Sequence, residues 1–196
     1  PGEWTFSDDE KRIYFYPGRE LSSDDKISVI SNYGDEAIKI NNSSDIVIDN
    51  INFDYYNNAI SINSSERALI QKCMFDGISS RGVNIYNSES SGTVCSDFKN
   101  GAVGVYISGK GDDINNLICS RNFVQNCFFN NMTNCVNMFT ANGNVVSHNL
   151  AENYLNSFVY IYEGNENIIE YNESRAGVLQ GNEGACVYIA GLYDAR

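Results

Sequence analysis

Basic residues and histidine are scarce in this sequence. The 196 residues include 13 Lys and Arg against 25 Asp and Glu, which gives a net charge of −12, and a single histidine. Nucleic acids and anionic membrane surfaces are bound by basic faces, so we expect neither as a partner. No apolar run approaches the ~20 residues that a membrane-spanning helix requires.

Paired cysteines are also missing. The six cysteines form no CxxC pair, and only one histidine accompanies them, which does not match the ligand clusters of zinc sites. A chain of this length can bury a sizeable core and needs no disulfide framework. We therefore interpret most of the cysteines as small buried apolar residues, with disulfide bonds as the alternative.

Internal repeats are the dominant feature of the chain. Similar segments, such as Ile70–Phe75 and Val124–Phe129, begin at positions 48, 70, 124, 146 and 169, and a weaker copy begins at Thr93. A second series falls between them and alternates apolar with polar or Tyr side chains, as strands do. Its members are centred on Ser61, Asn84, Tyr106, Asn137, Tyr160 and Tyr188.

Two strand series that recur about every 22 residues predict a chain wound around a common core. We predict an all-β fold, a right-handed single-stranded parallel β-helix of about six to seven coils over residues 26–196. Residues 1–25 predict a β-hairpin and a lead-in, because apolar strands flank the polar turn at 7–10. The predicted inward-facing residues are Ile48, Ile60, Ile62, Ile70, Val83, Ile85, Val105, Ile107, Val124, Val136, Met138, Val146, Val159, Ile161, Ile169, Val187 and Ile189.

Asparagine recurs beside the apolar positions, at 50, 122, 126, 144, 149 and 172. Because Asn tolerates left-handed backbone, we interpret these as bend residues. Stacked Asn side chains can also pair along a column. Residues 108–121 and 173–186 break the repeat and are predicted to be loops, where function often lies.

Four short motifs occur in a fixed order. They are PGEW at 1–4 with IYFYP at 13–17, ISGKGDD at 107–113, VSHN at 146–149 with GN at 164–165 and IEYN at 169–172, and EGACVY at 183–188. In this order they resemble bacterial parallel β-helix proteins of the pectin-lyase-like group, most closely a glycoside hydrolase branch with fucosidase, xylanase and xylosidase members. The resemblance implies a secreted, cell-surface or periplasmic protein. Because such proteins carry further coils, we expect the intact protein to be longer at both ends.

Two carboxylates in these motifs are the leading catalytic candidates. Glycosidases use a pair of carboxyl groups roughly 5–10 Å apart, and Asp112 and Glu183 would supply them, with Asp113 and Glu163 as alternates. Asp113 stands where the branch has Arg, and Glu183 stands where it has Asp. The alternative interpretation is that all four are solvated loop acids.

The outward positions of the second strand series predict a binding strip. Tyr106, Asn137, Tyr160, Tyr162 and Tyr188 would lie on one face, and aromatic rings with amide neighbours suit sugar rings. The alternative is that Tyr favours strands and covers an exposed sheet. Acidic loops beside the strip would repel acidic glycans, so we expect a neutral oligosaccharide.

His148 is a candidate general acid or base, because an imidazole titrates near neutral pH. It also occupies the repeat position shared by Asn50, Lys72, Asn126 and Tyr171. That equivalence favours a bend residue.

Three functions stay open at this stage. The first is a glycoside hydrolase acting on a polysaccharide or oligosaccharide, and the second is a non-catalytic glycan-binding or spacer β-helix. The third is a calcium-dependent polysaccharide lyase, in which Asp112 and Asp113 would bind calcium and Lys110 or Arg121 would act as base. We expect no other cofactor.

Overall fold

The computed structural model describes residues 3–7, 12–16, 36–110, 119–180 and 184–191. The chain forms two compact units, Pro1–Ser31 and Asn32–Arg196. In the first unit, β1 (Glu3–Ser7) pairs antiparallel with β2 (Arg12–Tyr16), which is the predicted hairpin.

The second unit is a parallel β-solenoid of about six turns, and every strand pair in it is parallel. Its first face holds β4 (Val47–Asp49), β7 (Leu69–Gln71), β10 (Gly92–Val94), β12 (Phe123–Gln125), β14 (Val145–Ser147) and β17 (Ile168–Glu170). The second holds β5 (Asn52–Asp54), β8 (Met74–Asp76), β15 (Leu150–Glu152), β18 (Glu173–Arg175) and the first halves of β11 (Asp97–Ser108) and β13 (Phe128–Phe139). The third holds β3 (Glu36–Asn41), β6 (Asn58–Asn63), β9 (Arg81–Tyr86), β16 (Ser157–Tyr162), β19 (Ala185–Ala190) and the second halves of β11 and β13. The prediction of an all-β parallel solenoid is therefore confirmed.

The core consists of side-chain columns that repeat at the strand spacing. Fourteen of the seventeen predicted core residues are buried, from Ile48 to Ile161. Phe53, Phe75, Phe98 and Phe129 form an inner phenylalanine ladder, with ring centroids 5.1, 4.5 and 4.9 Å apart. Ile169 is only partly buried, and Val187 and Ile189 are exposed. Their strands, β17 and β19, each pair with one other described strand only, β14 and β16 respectively.

The corners of the coil are built by left-handed residues. Asn50, Lys72, Cys95, Asn126, His148 and Tyr171 all end the first face with φ between 52° and 58°. Gly, Asn, Asp and His adopt this conformation more readily than other residues do. The bend interpretation therefore holds for Asn50, Asn126 and His148, while the Lys and Tyr at the same corner are held there by the stacked coils.

Four of the predicted bend asparagines have a different role. Asn122 and Asn144 form a buried column in which each side-chain oxygen accepts the backbone N–H of the preceding coil, at 3.0 Å. Asn149 and Asn172 do the same at 2.9 Å. The columns satisfy backbone donors that would otherwise be buried without partners.

Two other expectations are corrected or refined by the structure. Residues 173–186 are not wholly a loop, because β18 and the start of β19 lie within them; of the loop predicted at 108–121, residues 111–118 lie outside the described part. All six cysteines are free, and Cys73, Cys119, Cys127 and Cys135 are buried. Burial raises the pKa of the Cys119 thiol to about 11, as expected of an apolar interior.

Candidate functional site

The predicted strip lies on the outer side of the third face. Asn84, Tyr106, Asn137, Tyr160 and Tyr188 are partners in consecutive strand pairs, so they form one column. Two residues further along each strand, Phe139 and Tyr162 form part of a second column. We call Tyr106, Asn137, Phe139, Tyr160, Tyr162 and Tyr188 the outer strip.

The aromatic rings of the outer strip contact one another across four strands. Tyr106 stacks on Phe139 with centroids 5.3 Å apart, and Phe139 lies 5.5 Å from Tyr160. Tyr160 stacks on Tyr188 at 5.1 Å with the ring planes 7° apart. The rings are all half-buried, so the outer strip presents an aromatic ridge instead of isolated tyrosines.

This stacking changes what the outer strip offers to a ligand. The sequence suggested open ring faces for sugars, but the facing sides of Tyr106 and Phe139, and of Tyr160 and Tyr188, are occupied by each other. A tyrosine ring that stands off a sheet carries its hydroxyl at the end furthest from the backbone. Hydroxyl groups and ring edges are therefore the groups available along the ridge.

Asn137 was expected to point outward and to be accessible, but it is only 7% exposed. Its column neighbours are Tyr106 and Tyr160, whose rings, together with Phe139, cover the short amide. Its Oδ1 has no hydrogen-bond partner within the described residues. Ser61, in the same column, is fully buried as well.

Arg81 caps one end of the ring stack. Its guanidinium carbon lies 3.8 Å from the centroid of the Tyr106 ring, and its Nη1 donates to Asn84 Oδ1 at 3.2 Å. Sequence reasoning missed Arg81, because strict alternation places it on the same side as Val83. The alternation fails here, since Gly82 and Val83 are both buried at the turn into the third face.

The candidate catalytic acids are only partly described. Asp112, Asp113 and Glu183 lie outside the described residues. Glu163 directly follows β16 at a left-handed corner with φ 54°, and its backbone N–H donates to Ala190 O at 3.0 Å. It is therefore next in sequence to Tyr162 of the outer strip, at the end of the same strand.

His148 lies at another corner of the coil. It separates β14 from β15, and its ring stacks on Tyr171 of the next coil at 5.1 Å. Strand β15 and a further corner come between His148 and the strand that carries Tyr160. The structure therefore does not bring His148 and Glu163 to one corner.

Of the residues offered for a calcium-assisted reaction, only Lys110 and Arg121 lie within the described ranges. Arg121 forms an ion pair with Glu89, so it does not serve as a free base in this arrangement. Lys110 is exposed, and its backbone N–H donates to Asn87 Oδ1 at 2.6 Å. Within the described ranges no group of three His, Cys, Asp or Glu side chains could hold a metal ion.

No protein-family model matches the chain, and no curated protein matches its sequence.

Among the described residues there is no helix that is long and apolar enough to cross a membrane.

Proposed function

We propose that this chain is a carbohydrate-active β-helix protein that binds a neutral oligosaccharide along the outer strip. The observation that supports the proposal most is the unbroken ring stack on the outer side of the third face. The interior already has its own phenylalanine ladder. A second aromatic series, half-buried and rich in hydroxyl groups, is more than a solvated sheet face requires.

The chemistry of the outer strip suits sugars through hydrogen bonds. Tyrosine hydroxyls both donate and accept, as sugar hydroxyls do. The rings beneath them contact neighbouring rings, which restricts their motion before a ligand binds. Three strand spacings of ~4.8 Å separate Tyr106 from Tyr188 and span ~14 Å, which is about three sugar units of roughly 5 Å each.

Hydrolysis of the bound glycan is the fuller form of the proposal. Glu163 supports it, because it follows the strip strand β16 directly. In sequence, Asp112 comes four residues after the end of β11, and Glu183 comes two residues before β19 begins, so both adjoin strands of the outer strip. In the alternative, glycan binding without hydrolysis, the acids are only solvent-facing groups.

The test is a binding titration with neutral xylo-, fuco-, gluco- and galacto-trisaccharides, followed by calorimetry. We expect at least one to bind, and the double variant Tyr160→Ala, Tyr188→Ala to bind at least tenfold more weakly. Tyr56→Ala is the control, because Tyr56 is an exposed tyrosine at another corner. Absence of binding to every trisaccharide, or equal binding by the double variant, would overturn the proposal.

Product release from the best-bound oligosaccharide tests hydrolysis separately. A general acid or base contributes about 10²–10⁴-fold to the rate, so Glu163→Gln should abolish most turnover while leaving binding intact if Glu163 is catalytic. Undiminished turnover in Glu163→Gln would leave Asp112, Asp113 and Glu183 as the three candidates to be varied next. Binding without any turnover in the wild type would identify a glycan-binding module.

A further inference from the structure

The end of the ring stack has a positive group, Arg81, that forms no ion pair with any described residue. We infer that Arg81 and Asn84 form a subsite for one oxyanion substituent, a carboxylate or a sulfate ester, on the oligosaccharide bound by the outer strip. The inference rests on the proposed function and specifies which ligand the outer strip accepts. Its basis is the geometry of Arg81 and the absence of a carboxylate partner for it in the described part of the chain.

Arg81 differs in this respect from the other described arginines of the solenoid. Arg67 pairs with Asp45 and Glu66, Arg121 with Glu89, and Arg175 with Glu152 and Glu173. In a chain with a net charge of −12, a guanidinium with no carboxylate beside it is therefore the exception. The ion pairs of the other three are exposed and contribute little to stability.

The guanidinium of Arg81 is held in place by contacts that do not use its charge. Its plane rests on the Tyr106 ring, and one N–H donates to Asn84. The remaining N–H groups have no hydrogen-bond partner among the described residues. A stacked guanidinium loses little side-chain entropy when it binds, and its planar edge matches the two oxygens of a carboxylate or sulfate.

The backbone that carries Arg81 is fixed as well. A Cβ at Gly82 would lie 2.7 Å from Gly104 O and 2.8 Å from the Phe98 ring, so only glycine allows this approach to the core. The close packing fixes where the Arg81 side chain leaves the strand. Asn84 lies three residues further along and directs the guanidinium toward Tyr106.

Among the described residues, the one carboxylate in the register column of Arg81 is already paired with a lysine. Glu36 is in the same register column two strands away, but it pairs with Lys39 at 2.9 Å. The strand between them contributes the neutral Asn58. A chain of acidic sugars would be repelled by the protein's net charge, whereas a neutral chain with one anionic group needs only this single cation.

The experiment uses the tightest-binding neutral trisaccharide from the panel above and two derivatives of it. One derivative carries a single uronic acid and the other a single sulfate ester, so the two arms distinguish the sources of the oxyanion. We expect the wild type to bind one derivative about tenfold to a hundredfold more tightly than the neutral parent, which is the range for hydrogen bonds to a charged group. Because Arg81 is half-exposed, the preference should shrink as salt is raised.

Two variants and a control isolate the role of Arg81. Arg81→Gln should bind both derivatives no more tightly than it binds the neutral parent. Arg81→Lys keeps the charge but loses the planar fork, so it should retain only part of the preference. Arg175→Gln removes the same charge at β18 and should leave the preference unchanged; thermal unfolding confirms that each variant is folded.

The outcomes separate the inference from the function on which it rests. If the neutral parent binds and no derivative binds more tightly, the Arg81 subsite is wrong while the strip stands. The subsite is also refuted if Arg81→Gln still prefers an anionic derivative over the neutral parent. It is refuted as well if Arg175→Gln loses that preference to the same extent as Arg81→Gln. If no trisaccharide and no derivative binds at all, the proposed function fails and the subsite fails with it.

Discussion

The inner phenylalanine ladder and the outer strip are built by the same geometry but in opposite environments. Parallel strands about 4.8 Å apart bring residues in register close enough for their rings to stack. Phe75 and Phe98 lie 4.5 Å apart inside the coil, and Tyr160 and Tyr188 lie 5.1 Å apart outside it. Phe98 is fully buried, whereas the tyrosines are half-exposed.

The difference shows that stacking by itself does not identify a functional residue. A buried ring contributes the transfer free energy of its whole surface, in addition to the stacking contact. A half-exposed tyrosine contributes mainly the contact with its neighbours, and keeps its hydroxyl available to solvent or ligand. Substitutions in the two regions should therefore affect different measurements.

The largest effect is expected for Phe98→Ala. The ring packs between Phe75 and Phe129 and fills the space left by the missing side chain of Gly82. Removing it leaves a cavity in a closed core, which should lower the free energy of unfolding by about 3–5 kcal/mol. Chemical denaturation monitored by circular dichroism measures the change.

Tyr160→Ala is the matched outer substitution. It removes ring contacts with Tyr188 and Phe139, each worth about 0.5–1.5 kcal/mol, so the free energy of unfolding should fall by about 1–3 kcal/mol. If Tyr160→Ala costs as much as Phe98→Ala, the outer strip is part of the structural core and the distinction between the regions is lost.

A smaller effect should appear at alkaline pH, where burial disfavours the ionised form of a cysteine thiol. Burial raises the pKa of Cys119 from 9.0 to about 11, so between these values the unfolded chain loses a thiol proton that the folded chain keeps. Stability from this group is present below pH 9 and is lost as pH rises toward 11, at up to about 1.4 kcal/mol per pH unit.

Between pH 7 and pH 10, Cys119→Ala should therefore lose about 1 kcal/mol less of its free energy of unfolding than the wild type loses. Cys95→Ala, which removes an exposed thiol, is the control and should leave the limb as it is in the wild type. Urea titrations from pH 7 to 10 provide the comparison. Parallel curves for Cys119→Ala and the wild type would mean that the interior near Cys119 admits water.

The sequence was sufficient for the parts of the fold that repeat. Period-two alternation gave the register of the outer strip, because each Val-x-Ile segment must bury two side chains and expose the one between them. It could not show that Asn137 is covered, because coverage depends on the size of the side chains one coil away. It also missed Arg81, because the turn at Gly82 breaks the alternation that places every other residue of β9.

The smallest expected effect is at His148, which tests whether ring contacts outside the outer strip carry function. His148→Gly removes the conformational cost of a non-glycine residue in the left-handed region, which is about 1–2 kcal/mol. It also loses the ring contact with Tyr171, worth about 0.5–1.5 kcal/mol, and adds chain entropy to the unfolded state, which costs roughly 0.5–1 kcal/mol. The free energy of unfolding should therefore change by less than about 1 kcal/mol.

Glycan binding and any turnover in His148→Gly should match the wild type from pH 5 to 8, because His148 lies at a corner away from the outer strip. A turnover that falls a hundredfold, or loses its dependence on pH in that range, would make His148 a general acid or base and place the reaction at that corner instead.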